Sequence, residues 1–270
     1  MINNLDRINK IKHMGFNPDV VWYHGTPHDF EKFDYNTIGI GEDAHGPGFY
    51  FTNNPDTANQ YTTNINSGKS PVVYPVHLKL TKGMNDNTKL SINQIKKIIQ
   101  SAPELTDHLL NFGDVERQGI SKVLNDAASI YQYHTGKDLL NVLRGDFFRN
   151  HSKEFMQAVT KHTGYDHYNC NSDYLDNNPH EKWVVAFHPH QIRSIHAEYN
   201  PDKMDSGNLL EEKLNNKKKP ISKKTFTETL VSTIRKKRGN NGRTEIKING
   251  KSTIIVNPHV RDITTEYNNK

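Results

Sequence analysis

The sequence predicts an α+β fold carrying a basic appendage, and three observations support that reading. β-Branched and aromatic runs stand on either side of a middle segment. That middle segment, residues 91–164, has helical periodicity. The last stretch, residues 207–270, is rich in Lys and Asn. The chain of 270 residues suits one domain of about 200 residues plus an appendage. Hydrophobic residues are 33% and charged residues 24%, which is polar, but 12 Tyr and 11 Phe supply aromatic mass for a core. No apolar run reaches the roughly 18 residues of a membrane span, so no membrane partner is expected. The opening MINNLDRINKIKHMGF has no apolar h-region, so no signal peptide is expected and the default is an intracellular protein. The single cysteine, Cys170, excludes an internal disulfide and a multi-cysteine zinc site.

The elements follow in order. Leu5, Ile8, Ile11 and Met14 recur at helical spacing and predict a short amphipathic helix, ended by Gly15 and Pro18. Val20 to Tyr23 reads as a buried strand, and Phe49–Thr52 and residues 72–80 as two more. Pro75 implies that the last of these is an edge strand or a strand start. Ser91 is an N-cap for a helix with Ile92, Ile95, Ile98 and Ile99 on one face. Further helices are expected over 104–111, 115–131, 138–148 and 152–162, then strands over 165–170 and 183–187. Residues 207–270 begin as a linker, with a helix expected over 225–236. Asn249-Gly250 between two alternating apolar runs then predicts a hairpin.

Charge divides the chain in the same way. Residues 207–270 hold 15 Lys and Arg against 6 Asp and Glu, a balance of +9, whereas residues 1–206 balance at −4. Two units are therefore expected: a catalytic body over 1–206, and a tail over 207–270 that could bind a nucleic acid or an acidic protein.

The chemistry concentrates in WYHGTPHDFEKFD and GPGFYFTNNPDTANQY. His24 closes a strand, Gly25 allows close backbone approach, and Thr26-Pro27 turns the chain. Tyr50 follows a Gly-rich loop, and Tyr61 comes eleven residues later. An imidazole and two tyrosines around glycine backbone suit a flat cationic ring, which tyrosine faces attract. Taken singly, His24 and Tyr50 are better explained as core residues with satisfied polar atoms. The loop glycines precede a strand and not a helix, so they do not form a dinucleotide-binding turn.

Tyr-His-Gly-Thr, then Gly-x-Gly-Phe-Tyr-Phe-Thr, then the second tyrosine resemble ADP-ribosyltransferases of the diphtheria-toxin and poly(ADP-ribose) polymerase type. MGFNPDVVWYHGT, TGYD and WVVAFHPHQIRSIHAEYNPD are similar to the branch found in polyvalent proteins of phages and mobile elements. The resemblance implies split antiparallel sheets around an NAD+ cleft, with a helical insertion over about 91–164. It implies that His24 bonds the adenosine ribose and that Gly25, with Thr26, lies at the nicotinamide carboxamide. Tyr50 and Tyr61 would sandwich the nicotinamide ring, and the loop from Gly39 to Gly48 would cover the donor. It also implies a phage or mobile-element origin, a virion-associated or host-cytoplasmic location, and modification of host components.

Cleaving the nicotinamide–ribose bond passes through an oxocarbenium-like state, which a nearby negative charge stabilises. With QIRS as anchor, the family's glutamate position falls on Trp183, so the sequence departs from the pattern there. Glu181 lies two residues earlier on the same face of an extended strand and is the expected catalytic carboxylate. Asp173, Asp176 and Gln191 are alternatives. His188, His190 and His196 look like a metal cluster but lack a completing ligand, so no metal is expected. The expected activity is transfer of ADP-ribose from NAD+ to a macromolecule, as mono-transfer to a host protein. The alternatives are NAD+ glycohydrolysis, 2′-phosphotransfer on RNA, or a non-catalytic virion or nucleic-acid-binding protein with a decayed transferase fold.

Overall fold

A computed structural model describes residues 4–39, 43–62, 71–170 and 180–210, together with the backbone of two strands at 245–249 and 253–257. Asp173, Asp176 and the helix expected over 225–236 lie outside the described residues.

Helix α1 (Asn4–His13) buries Ile11 and Met14 with Phe16, Ala197 and Tyr199 in a small satellite cluster, while Leu5 is 61% exposed. Strand β1 (Trp22–Thr26) begins two residues later than expected. Helix α2 (Pro55–Gln60) follows β2 (Phe49–Thr52), with Asn54 as N-cap and Pro55 in the first turn, where its missing N–H costs nothing. Strands β3 (Val72–Leu78) and β4 (Gly83–Met84) precede the helical segment.

Helix α3 (Ile92–Ile99) carries a full capping box between Ser91 and Gln94 and buries Ile95, Ile98 and Ile99. The helix expected over 104–111 is α4 (Leu105–Leu109) with a 3-10 turn after it. The single helix expected over 115–131 is two, α5 (Val115–Gln118) and α6 (Ile120–Tyr131). Gly119, at φ 79°, adopts a backbone that a helix cannot contain. Helix α7 (Gly136–Leu143) runs on into a π turn over Arg144–Phe148, and α8 (Ser152–Thr163) ends the segment. Strands β5 (His167–Cys170), β6 (Trp183–Ala186) and β7 (Ile192–Ser194) complete the body.

The seven strands run in the order β4-β5-β6-β2-β1-β3-β7. Only β4–β5 among the pairs is parallel, so the sheet is mixed where antiparallel strands were expected. The separate sheets expected on either side of a cleft are joined in one ladder. One core cluster unites Phe49, Phe51, Val184 and Ala186 of the sheet with Leu139, Leu143, Phe147, Phe155 and Val159 of the helices. Burying each such side chain contributes about 1.5–3 kcal/mol, so helices and sheet share one hydrophobic interior.

Pro75 does not mark an edge, because β3 lies between β1 and β7. The β7 ladder starts at Val76, and the Pro75 carbonyl accepts from Ile195, just past the end of β7. The missing N–H would face the Ile195 carbonyl, which accepts from Arg7 Nη2 instead, so the proline leaves no acceptor unmet there. At the far end Leu209 is buried in the core. Its N–H donates to Glu31 O, and its carbonyl accepts from Ser194 N. Beyond it, β8 (Glu245–Asn249) and β9 (Thr253–Asn257) pair antiparallel with Asn249 opposite Thr253, as the hairpin expected from the sequence requires.

Candidate active site

Strand β1 has neighbours on both sides, yet Trp22 to Gly25 are each partly exposed. The strand expected to be buried is only half-buried. Its ladder to β3 spans all five residues, but its register with β2 pairs only Tyr23 with Thr52. Past that point His24 Nδ1 takes the place of the ladder, 2.8 Å from Tyr50 O. A carbonyl can only accept, so Nδ1 carries the proton and Nε2 presents a lone pair. The ring lies among Phe33, Phe51 and Phe30, with centroids 5.0, 5.6 and 6.0 Å away. Burial lowers the His24 pKa to about 4, against the opposing bond to Tyr50 O, so the imidazole is neutral near pH 7.

Gly25 is required by packing. A Cβ at this position would lie 1.6 Å from Ala58 O, so α2 rests directly on β1 there. Thr26 is buried, and its Oγ1 accepts from His28 N at 3.2 Å, which shapes the turn after β1.

Tyr50 uses its hydroxyl on the preceding loop, accepting from His45 N at 3.0 Å and donating to Gly46 O. Burial pushes the phenol well above its ordinary range, so it stays a neutral donor. Tyr61 caps the C-terminus of α2 and is 55% exposed. The two tyrosines are linked through intermediate rings. His45 lies 6.5 Å from Tyr50 and 6.4 Å from Trp183, and Trp183 meets Tyr61 edge-on at 5.7 Å and 76°.

Glu181 is 7% exposed and, among the described residues, accepts four hydrogen bonds, all from neutral side chains. Thr52 Oγ1 at 3.0 Å and Trp183 Nε1 at 2.9 Å reach Oε1, while Asn54 Nδ2 and Thr57 Oγ1, both at 3.0 Å, reach Oε2. The carboxylate is thus built into the β2–α2 junction, at the end of the sheet where Trp183 and Tyr61 stand. Gln191 serves a different purpose. It is buried, accepts from Phe187 N and His188 N, and donates to Lys79 O, which fastens the β6–β7 turn.

The loop before Tyr50 is fastened to the helical segment. Asp43, at φ 34°, pairs with Arg144 of the π turn at 2.9 Å. Burial pushes the Asp43 carboxyl up, and the Arg144 guanidinium pulls it back. Sequence reasoning missed this pair, His45 and the donors around Glu181. A readable trace of the donors was the polar run Thr52, Asn54, Thr57 leading into a helix start.

His188 and His190 stack at 5.2 Å, but His188 bonds Tyr35 and Thr160 at 2.8 and 2.7 Å. Among the described residues no three His, Cys, Asp or Glu converge as a metal-binding group, and no helix is long and apolar enough to cross a membrane. Burial pushes the half-buried Cys170 thiol up to about 12, so it is not a nucleophile near neutral pH.

The mixed sheet thus carries a half-exposed inner strand, a neutral histidine at its seam and a glutamate bound by side chains. The family model described as ADP-ribosyltransferase in polyvalent proteins matches residues 17–202, and the chain belongs to that family. It is therefore an NAD-dependent transferase by family, since ADP-ribosyltransferases use NAD+ as substrate. Neither a curated protein nor a solved structure matches the chain.

Proposed function

We propose that this protein transfers a single ADP-ribose unit from NAD+ to a protein of its host, releasing nicotinamide. The observation that carries this reading is the Glu181 carboxylate, fixed by four neutral donors beside the Trp183–Tyr61 wall. Nicotinamide stacks on the Tyr50 and Tyr61 rings, and the neutral His24 accepts a hydroxyl of the adenosine ribose at Nε2. The bond between ribose C1′ and the nicotinamide nitrogen breaks, and its electron pair leaves with neutral nicotinamide. The positive charge left on the ribose is stabilised by Glu181, which accepts the ribose 2′-hydroxyl in exchange for one of its threonine donors. A lone pair of the acceptor then bonds C1′, and the acceptor's proton passes to solvent.

The fullness of that same carboxylate favours a second reading. Four donors on a 7% exposed acid are also what a purely structural knot displays. In that case the fold would be retained without turnover.

Incubating the full chain with NAD+ labelled in its adenylate, with and without host-cell lysate, separates the readings. Transfer predicts a labelled protein band and equimolar nicotinamide. Free ADP-ribose without a band identifies a glycohydrolase, and no nicotinamide in either sample identifies a decayed fold.

A further inference from the structure

The four donors on Glu181 are not equivalent. Thr52 Oγ1 also accepts from Asn54 N at 3.1 Å, so the Thr57 hydroxyl, which can rotate and become an acceptor, is the donor that yields to an incoming hydroxyl. Asn54 is committed elsewhere, because its side-chain oxygen caps α2 by accepting from Asp56 N at 3.0 Å. The indole of Trp183 can only donate. The register pairs Trp183 with Thr52, so both side chains rise from one face and meet at the same oxygen, Oε1. The indole edge is fixed in turn by Tyr61 at 5.7 Å and by His45 at 6.4 Å.

We propose that Trp183 is a positioning residue for the Glu181 carboxylate, and that its indole couples that carboxylate to the Tyr61 ring on which the donor stacks. The inference rests on the assignment of Glu181 made above. A fixed N–H on Oε1 keeps the carboxylate from rotating, and the exchange of Thr57 for a ribose hydroxyl is left to Oε2. A charge-assisted bond of this kind is short and directional, which suits a group that must face a developing cation. Ordering of the Tyr61 ring by bound nicotinamide acts on the indole edge and so on the direction of the N–H.

The test is a double-mutant cycle in the full chain, read by nicotinamide release and by NMR. Trp183→Phe keeps an aromatic ring against Tyr61 but removes the N–H. It should lower kcat about 10-fold or more, as expected for a bond to a charged group, with KM for NAD+ little changed. In the Glu181→Gln background the same change should cost almost nothing further. The chain has two tryptophans and hence two indole N–H resonances. Glu181→Gln should shift the Trp183 signal and leave Trp22 in place, and an unchanged Trp22 signal in Trp183→Phe reports an intact fold. An equal loss of kcat in both backgrounds, or a rise in KM alone, overturns the proposal. If Glu181→Gln retains full turnover, the assignment of Glu181 fails. If its indole signal is also unmoved, the hydrogen bond and with it the positioning role fail, whatever the activity.

Discussion

Asp166 and Glu181 are both buried acids next to a strand, but the protein holds them differently. Asp166 accepts from the backbone N–H groups of Thr81 and Lys82 and from His167 Nδ1 at 2.7 Å. Among the described residues Glu181 is held by side chains alone, three of which come from the β2–α2 junction. Backbone donors are fixed once the fold is fixed, whereas threonine hydroxyls can turn. Asp166 therefore belongs to the architecture, tying β5 to the segment before β4. Glu181 is embedded but can exchange a partner, which a reacting group must be able to do.

The contrast breaks most severely at Gly25. An added Cβ would push α2 off β1 and carry Asn54 and Thr57 away from Glu181, leaving Asp166 untouched. We expect Gly25→Ala to lower nicotinamide release by about 100-fold or more, the scale of an ångström-sized misplacement. Circular dichroism of the same sample should show the helices retained. Normal turnover would mean that the contact of α2 with β1 does not set the site.

Asp166→Asn sharpens the contrast from the other side. An amide cannot accept from all the donors around Asp166, so unfolding free energy should fall by about 1–3 kcal/mol with kcat unchanged below the melting point. Urea denaturation and nicotinamide release on one preparation check both halves.

The pH dependence follows from the buried groups. His24, His77 and His188 each have a pKa lowered to about 4, chiefly by burial, against an ordinary value of about 6.5. The unfolded chain binds these protons first, so stability is fully present above about pH 6.5 and is lost as pH falls towards about 4. Asp166 continues the trend lower. Burial raises its pKa, but the His167 and Lys82 bonds outweigh this and hold it below the usual range. Its contribution is therefore present above about 3.9 and disappears as pH falls through the lower folded value. Thermal melts from pH 8 to pH 3 should descend in that order. Turnover should show no titration near 6.5 from His24, and a His24-dependent step there would contradict a neutral imidazole.

The smallest effect is expected from the tail. Removing all residues after Leu210 keeps buried Leu209 but takes away β9, which lies against β3 and α2, so nicotinamide release should fall only slightly while salt-sensitive retention on nucleic acid is abolished. Loss of NAD+ turnover in that truncation would place the tail within the working fold.

Much of this was legible from local chemistry. The Ser91 N-cap and the Asn249-Gly250 hairpin signal each act within a few residues of chain, so spacing alone pointed to helix α3 and to the pairing of β8 with β9. The order of His24, Tyr50 and Tyr61 acquired a meaning only through the family resemblance, because spacing alone left His24 and Tyr50 better explained as core residues. What spacing could not supply was register. Trp183 lies opposite Thr52 only because β6 pairs with β2, and that pairing places an indole N–H and a hydroxyl on one glutamate oxygen. The Asp43–Arg144 pair likewise joins a loop to a π turn far along the chain. Pro75 misled because a distant side chain, Arg7, meets the carbonyl that the proline leaves, and Gly119 because one residue outweighed a continuous apolar pattern.

The central claim is that Glu181 supplies charge to the reaction and not shape to the fold. Its most direct test is Glu181→Gln, with nicotinamide release and calorimetric NAD+ binding measured on the same sample. An amide keeps the volume, and the Thr57 hydroxyl can turn to accept from it, so the fold and NAD+ affinity should survive. We expect a fall in kcat of about 100-fold or more with NAD+ binding nearly unchanged. Near-normal release from a folded, NAD+-binding variant would contradict it.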